Sequence, residues 1–243
     1  MPRVFLSSPP GDKPIRITGT EAKYILAVLR CGKGDALTFI DPDGNFWGAE
    51  ITETSGRALS AVIKERLPAE TESPLRLSLL QGILKGQKMD LVIQKATELG
   101  VKEIVPLILK RTQITETRKL GRWRKIAKEA SRQSGRGIVP LVRPPMGLEE
   151  FLSSSSGRLK GLIFWEEGGM RLKEAVAGLV ETASPEDEVI AAIGPEGGFT
   201  AGEVEDAKAA GLRPVFMGER ILRAETAAIA AVAVLEVMMG DMG

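Results

Sequence analysis

Two glycine-containing segments near the end of the chain constrain its fold more than any other feature. Residues 193–200 read Ile-Gly-Pro-Glu-Gly-Gly-Phe-Thr, and residues 218–227 read Gly-Glu-Arg-Ile-Leu-Arg-Ala-Glu-Thr-Ala. A short apolar run typical of a buried strand precedes each segment, and a helical pattern follows each. Loops at the carboxyl ends of neighbouring parallel strands form the ligand sites of open α/β sheets, and glycine lets the backbone approach a ligand closely. The two segments therefore predict a ligand site built mainly from main chain.

From residue 75 onward, strand patterns alternate with helix patterns, which predicts an α/β domain with a largely parallel sheet. Thr200 and Glu203 have the spacing of a capping box and are predicted to open the helix that follows the first glycine segment. The last helix is apolar almost all round, so we expect it in a core or, preferably, at a subunit interface. The predicted strands are 75–80, 104–109, 162–165, 189–193 and 215–217, and the predicted helices are 90–99, 120–132, 171–180, 200–210 and 225–238.

The first 66 residues read as short strands around one helix, which predicts a small β-rich module. Thr20 is predicted as the N-cap of a helix over 21–30, and Asp41-Pro42-Asp43-Gly44 is a strong hairpin-turn signal. Residues 67–74 are polar, bracketed by prolines and without periodicity, as in a linker. The predicted domains are 1–70 and 74–243.

The absence of histidine limits the chemistry available to this chain. It contains no histidine, and Cys31 is its only cysteine, which we read as a packing residue. An intrachain disulfide, a Cys/His zinc site and Ser-His-Asp or Cys-His catalysis are thereby excluded. Chemistry must come from carboxylates, Arg, Lys, hydroxyls, backbone or a cofactor with its own reactivity, and no metal is expected. Without a signal core or an uncharged stretch of about 18 residues, we expect a cytoplasmic protein.

Charge is distributed unevenly, although the net charge is only +1. Residues 73–150 carry 16 Lys and Arg against 7 Asp and Glu, whereas residues 151–243 carry 8 against 15. Ten of the basic residues lie between positions 110 and 136. A concentrated basic segment on a near-neutral chain is typical of a polyphosphate partner, although a solvated helix face is the alternative.

The glycine segments and several upstream motifs together resemble the RsmE family of 16S rRNA uridine-N3 methyltransferases, within the SPOUT superfamily. The match covers nearly the whole chain, and both glycine segments with the upstream helix motif are specific to the family. The motifs that carry the resemblance are Val28-Leu29-Arg30 with Gly34-Asp35, Lys88-Met89 through Gln94-Lys95, Thr97-Glu98-Leu99-Gly100-Val101, Ile104-Val105-Pro106-Leu107, Trp123, Ala130, Gln133-Ser134-Gly135-Arg136 and Val139-Pro140.

The resemblance implies an α/β fold: a C-terminal SPOUT domain with a deep trefoil knot, and a small PUA-like RNA-binding β-barrel domain at the N-terminus. It also implies a homodimer that acts on 16S rRNA of the small ribosomal subunit. S-adenosyl-L-methionine (SAM) would be held bent in the knot and leave as S-adenosyl-L-homocysteine (SAH). The cofactor-binding residues that this implies are Ile193, Gly194, Pro195, Glu196, Gly197, Gly198, Met217, Gly218, Ile221, Leu222 and Thr226.

Arg223 and Glu225 are the predicted catalytic residues, because SAM already carries an activated methyl group and the protein must only orient uracil and help N3 lose its proton. Arginine can stabilise the uracil anion, and Glu225 would orient Arg223. The alternative is that each of the two residues belongs to a structural ion pair. The residues predicted to bind RNA are Arg30, Lys88, Arg111, Arg122, Lys125, Arg132 and Arg136.

Three other functions stay open from the sequence. The first is another SPOUT enzyme, which would methylate a ribose 2′-hydroxyl or a different base. The second is a non-catalytic rRNA-binding assembly factor, which would explain the basic segment but would not explain the glycine segments. A phosphate- or nucleotide-binding enzyme is the remotest, since neither glycine segment has the Gly-Lys-Ser/Thr or Gly-x-Gly-x-x-Gly pattern. A tight strand-to-helix turn with Pro195 fixing φ is the purely structural reading of the first segment.

Overall fold

The computed structural model describes residues 2–11, 13–68, 72–113, 117–154 and 159–243. The chain forms two compact units: residues 1–72 with 132–138, and residues 73–131 with 139–243. The predicted domain boundaries at 70 and 74 place residues 132–138 in the second domain, and they stay a prediction. Among the described residues, none of the helices has the length and apolarity needed to cross a membrane.

The first unit is built on a five-stranded sheet. Its elements are β1 (Arg3–Phe5), β2 (Ile15–Thr18), α1 (Gly19–Lys23), which continues as a π-helical turn (Tyr24–Val28), β3 (Ala36–Ile40), β4 (Phe46–Ser55) and β5 (Ala58–Leu67). The strand order is β1-β3-β4-β5-β2, with β1 parallel to β3 and the other pairs antiparallel. Fully buried Leu37, Phe39 and Ile51 form its core with Ile25. The β-rich module is confirmed.

The hairpin turn predicted at residues 41–44 is confirmed, and Asp41 organises it. Its carboxylate accepts hydrogen bonds from the backbone of Asp43 and Asn45 and from Trp47 Nε1 at 3.0 Å. Burial alone would raise the pKa of Asp41, but these hydrogen bonds outweigh it and hold the pKa below its ordinary value of 3.8.

The second unit holds a sheet of eight strands, every described pairing of which is parallel. The elements are β6 (Arg76–Gly82), α2 (Lys88–Glu98), β7 (Glu103–Ile108), α3 (Leu120–Ser134), β8 (Leu141–Val142), β9 (Met146–Gly147), α4 (Leu148–Ser154), β10 (Lys160–Phe164), β11 (Met170–Arg171), α5 (Leu172–Thr182), β12 (Glu188–Ile193), α6 (Ala201–Ala210), β13 (Arg213–Phe216) and α7 (Ala224–Met239). The order is β11-β13-β10-β12-β6-β7-β8, with β9 beside β7. The last three residues of α3 belong to the first unit.

Helices on both faces of this sheet create two cores. One contains α2, α5 and α7 with Leu77, Leu79 and Trp123, and the other contains α4 and α6 with Phe199. The predicted α/β class with a largely parallel sheet is confirmed. Strand order and pairing do not record how the chain threads, so the deep trefoil knot stays a prediction.

Candidate active site

The two glycine segments meet at one cavity, at the carboxyl ends of β12 and β13. Its volume is about 460 Å³. The end of β10 and the first turns of α2 and α7 complete the wall, because parallel strands bring their carboxyl ends to the same edge. The residues that line it are Lys88, Phe164, Trp165, Glu166, Ile193, Gly194, Pro195, Glu196, Gly198, Val215, Phe216, Met217, Gly218, Glu219, Arg220, Ile221, Leu222, Arg223, Ala224, Glu225 and Ala227.

Most of the residues predicted to bind the cofactor lie in this wall. Gly197 and Thr226 are the two that do not line the cavity. Gly197 lies on the outside of the first loop, where its carbonyl accepts a hydrogen bond of 3.0 Å from Arg111 Nη1. The predicted catalytic residues Arg223 and Glu225 both line the cavity, as does Lys88, which was predicted to bind RNA.

The first loop, residues 194–199, depends on glycine at two positions. A Cβ on Gly194 would lie 3.0 Å from the Gly198 carbonyl carbon. Gly198 has a φ of +68°, and a Cβ there would collide with the Glu166 carboxylate. Both positions therefore favour glycine: a Cβ at Gly194 would press on the backbone of Gly198, and the positive φ of Gly198 strains any residue that carries a side chain.

Gln81 at the end of β6 holds this loop in place by hydrogen bonding, a role that was not predicted from the sequence. Its side chain is fully buried, and Nε2 donates to the carbonyls of Gly82 and Gly194 at 2.9 and 3.3 Å. The neighbouring Gly82 lets the strand touch the loop, because a Cβ there would collide with Pro195. A buried glutamine after an apolar strand was the available signal, since buried amides need hydrogen-bond partners.

Lys88 connects the first loop with the start of α7. Its Nζ lies 3.2 Å from Glu196 Oε1 and 3.8 Å from Glu225 Oε2. Glu196 Oε1 also accepts a hydrogen bond of 3.2 Å from Lys85 N. Burial alone would raise the pKa of Glu196, but hydrogen bonds from its own backbone, Lys85 and Lys88 outweigh burial and lower that pKa below its ordinary value of 4.5.

Two polar atoms at the cavity lack hydrogen-bond partners among the described residues. They are Trp165 Nε1 and Glu225 Oε2, and both are shielded from solvent. The Glu225 side chain is 13% exposed. Arg223 is exposed and, within the described ranges, forms no ion pair with Glu225, so the proposed orienting contact between them is not formed here. Buried polar atoms are rarely left unsatisfied, which indicates that a ligand or water completes the site.

Apart from Lys88 and Arg111, which are described above, the residues predicted to bind RNA fall into two groups. Arg30 and Lys125 are exposed, and Arg30 adopts a φ of +58°, which is uncommon for a residue with a side chain. Arg122 is exposed but pairs with Asp90 at 2.8 Å. Their positions are compatible with phosphate contacts, which stay a prediction.

Arg132 and Arg136 pair with carboxylates of the first unit and, unlike Arg122, are largely shielded from solvent. Arg132 Nη2 lies 2.6 Å from Glu21, and its guanidinium lies over the Tyr24 ring. Arg136 is only 3% exposed and pairs with Glu72 at 2.8 Å. A phosphate contact at Arg136 would require this buried ion pair to break, and the contact stays a prediction.

A family model described as an RNA methyltransferase domain matches residues 71–236, and one described as an RNA methyltransferase PUA domain matches residues 17–64. The parallel sheet, its glycine-lined cavity and these matches define an RNA methyltransferase with an N-terminal PUA domain. Ribosomal RNA small subunit methyltransferase E of Buchnera aphidicola (from Acyrthosiphon pisum) is 33% identical over 90% of this chain and 85% of its own. That of Bacillus subtilis is 31% identical over 93% and 92%. The chain belongs to the ribosomal RNA small subunit methyltransferase E family.

Solved structures agree with this family. Ribosomal RNA small subunit methyltransferase E from Neisseria gonorrhoeae, bound to SAM, is 32% identical with a TM-score of 0.90, and each chain is covered completely. A Legionella pneumophila methyltransferase in complex with SAM is 31% identical with a TM-score of 0.85 over 98% of each chain. The resemblance inferred from the sequence motifs is thereby confirmed.

Proposed function

We propose that this protein transfers the methyl group of SAM to N3 of a specific uridine in 16S rRNA of the small ribosomal subunit. The observation that carries the proposal is the single cavity closed by both glycine segments, with a shielded carboxylate at its edge. The two SAM-bound relatives support SAM as the occupant.

The residues of the cavity fit SAM. Gly194 and Gly198 keep the first loop free of side chains, and Ile193, Met217 and Leu222 give apolar surface to the wall. Trp165 Nε1 lacks a hydrogen-bond partner among the described residues and can donate to a bound ligand. When bound, the sulfonium of SAM supplies a methyl group that is already activated for transfer.

The protein's own task is to orient the uracil and stabilise the anion that forms when N3 loses its proton. Arg223 is suited to this task, because it is the N-cap residue of α7, is exposed and lines the cavity. A fixed positive charge stabilises a developing anion without itself changing protonation. We assign phosphate contacts to Arg30, Arg111, Arg122 and Lys125, whereas Arg132 could contribute only by exchanging its ion pair with Glu21.

The test is the identity of the methylated nucleoside. Small subunits from a strain lacking this gene are incubated with the protein and SAM carrying an isotopically labelled methyl group, and the 16S rRNA is digested and analysed by mass spectrometry. We expect labelled 3-methyluridine. A labelled 2′-O-methyl nucleoside or another methylated base would instead favour a different RNA methyltransferase. The absence of both methylation and SAH binding by calorimetry would favour an assembly factor.

A homodimer formed through α7 is part of the proposed function. Thr226, Ala230, Ala233 and Val237 follow one another at helical spacing, and each is exposed or only partly buried. Three of these side chains are apolar, and the two alanines let a second helix approach closely. This face is therefore the surface we assign to the second copy.

A further inference from the structure

The carboxylate of Glu225 is placed differently from the other carboxylates at the cavity. It lies in the first turn of α7, a 16-residue helix, with 13% of the side chain exposed. Glu196 is held by Lys85 N and Lys88, and Glu166 and Glu219 are exposed at the rim. Of these four carboxylates, that of Glu225 has a solvent-shielded oxygen, Oε2, without a hydrogen-bond partner among the described residues.

We propose that Glu225 is the group that accepts the proton from uracil N3, an inference that rests on the proposed function. Uracil N3 carries a hydrogen and cannot attack a methyl group until that hydrogen leaves. With no histidine in the chain, a carboxylate is the side chain best suited to accept it. The free lone pairs of Oε2 are available to an N–H donor in the cavity, whereas those of Glu196 Oε1 are already used.

The charges around Glu225 favour this role. Lys88 Nζ on α2 lies 3.8 Å from Glu225 Oε2, and the N-terminus of α7 adds partial positive charge beside the same carboxylate. Glu196 on the first loop shares Lys88 and continues to balance its charge once Glu225 is protonated. Arg223 precedes Glu225 by two residues and remains available to the uracil anion.

The reaction balances with these groups. The N3–H bond breaks and its proton goes to Glu225, while the N3 electron pair forms the bond to the methyl carbon. The bond between that carbon and sulfur breaks, and its electron pair stays on sulfur. The products are 3-methyluridine, SAH and a protonated Glu225, which returns its proton to solvent after product release.

The first test compares Glu225→Gln with the wild type in single-turnover methylation, alongside SAH binding measured by calorimetry. We expect the rate to fall about 10²–10⁴-fold, the usual contribution of a general base, with little change in the dissociation constant of SAH. Glu174→Gln is the matched control, because Glu174 is an exposed first-turn carboxylate of α5 outside the cavity. It should keep the wild-type rate.

A second test separates proton transfer from a structural role. Small subunits are reconstituted with 16S rRNA in which 5-fluorouridine replaces uridine, since fluorine lowers the pKa of N3. The deficit of Glu225→Gln should shrink on this substrate, and its rate on normal subunits should rise with pH where the wild-type rate is flat.

Three results would overturn the inference: an unchanged rate in Glu225→Gln, an equal deficit on both substrates and at every pH, or a loss of SAH binding that accounts for the lost rate. Failure of the wild type to form 3-methyluridine would instead refute the proposed function, so the two failures are distinguishable.

Discussion

Single residues in the first loop determine whether the cavity can form. Gly198 combines a φ of +68° with a close approach to Glu166, so Gly198→Ala should strain the backbone and displace that carboxylate. We expect a destabilisation of about 1–2 kcal/mol and a loss of SAH affinity of tenfold or more. Urea denaturation and calorimetry measure the two effects.

The control for this substitution is Gly121→Ala in α3. Gly121 is exposed and lacks a positive φ, and open space extends for 4 Å around the position that a Cβ would take. Alanine there should raise stability by up to about 1 kcal/mol, because it favours the helix. If both variants bound SAH like the wild type, the first loop would not form the cofactor site.

The shared cation at Lys88 gives a prediction about pH. The pKa of Glu196 is lowered in the folded protein, so its ionised form contributes stability that is present above the ordinary value of 4.5 and is lost as the pH falls through the folded value. Glu196→Gln should therefore be less stable than the wild type at neutral pH, and the difference should shrink on acidification. Urea midpoints measured across the acid range check this, and a difference that stays constant with pH would contradict it.

The residues that form the cavity were easier to predict from the sequence than the ion pairs were. The glycine loops were predictable because glycine itself indicates a backbone that needs a positive φ or a close approach. The phosphate contact predicted for Arg136 rests on a charge count along the chain, which does not record that Glu72 lies against this arginine. Gln81 and Glu166 were missed because they approach the first loop from β6 and β10, and only the folded sheet brings them there.

At the scale of elements, the capping box of α6 fixes where the first loop ends. Thr200 Oγ1 accepts a hydrogen bond from Glu203 N at 3.3 Å, and Glu203 Oε2 accepts one from Thr200 N at 2.8 Å, as the sequence predicted. Thr200→Ala should cost about 1 kcal/mol of unfolding free energy, because the backbone N–H of Glu203 loses its acceptor and the Glu203 carboxylate loses the hydrogen bond from the hydroxyl. Thr200→Ser retains the hydroxyl and should keep most of the stability. Equal urea midpoints for the two variants would contradict the assignment.

The first helix shows the limit of capping rules. Thr20 was wrong as the N-cap: the helix begins after Thr18, whose side chain forms no capping hydrogen bond, and Thr20 lies inside α1. The apolar periodicity at 21–30 did predict the helix, but not its π-helical turn at Tyr24–Val28. Helix boundaries without a satisfied cap are set by packing, which local sequence does not determine.

At the scale of the whole molecule, the parallel sheet was predictable from the alternation of strand and helix patterns, and its strand order was not. β6 lies beside β12, although more than 100 residues separate them in sequence, and this pairing is what places Gln81 under the first loop. Hydrophobic periodicity reports which face of an element is buried and carries no information about which distant strand it joins. The same limitation applies to the threading that a trefoil knot requires.

The proposed homodimer gives α7 a role in association that can be tested. The stripe at Thr226, Ala230, Ala233 and Val237 leaves apolar surface on α7, with Val237 47% exposed. We expect sedimentation equilibrium to give twice the chain mass of 26.1 kDa, and Val237→Glu to weaken association by at least about tenfold because an unpaired carboxylate would be buried. Val180→Glu is the control, since Val180 is equally exposed on α5. A monomeric wild type, or equal effects of the two glutamates, would show that this stripe of α7 faces solvent.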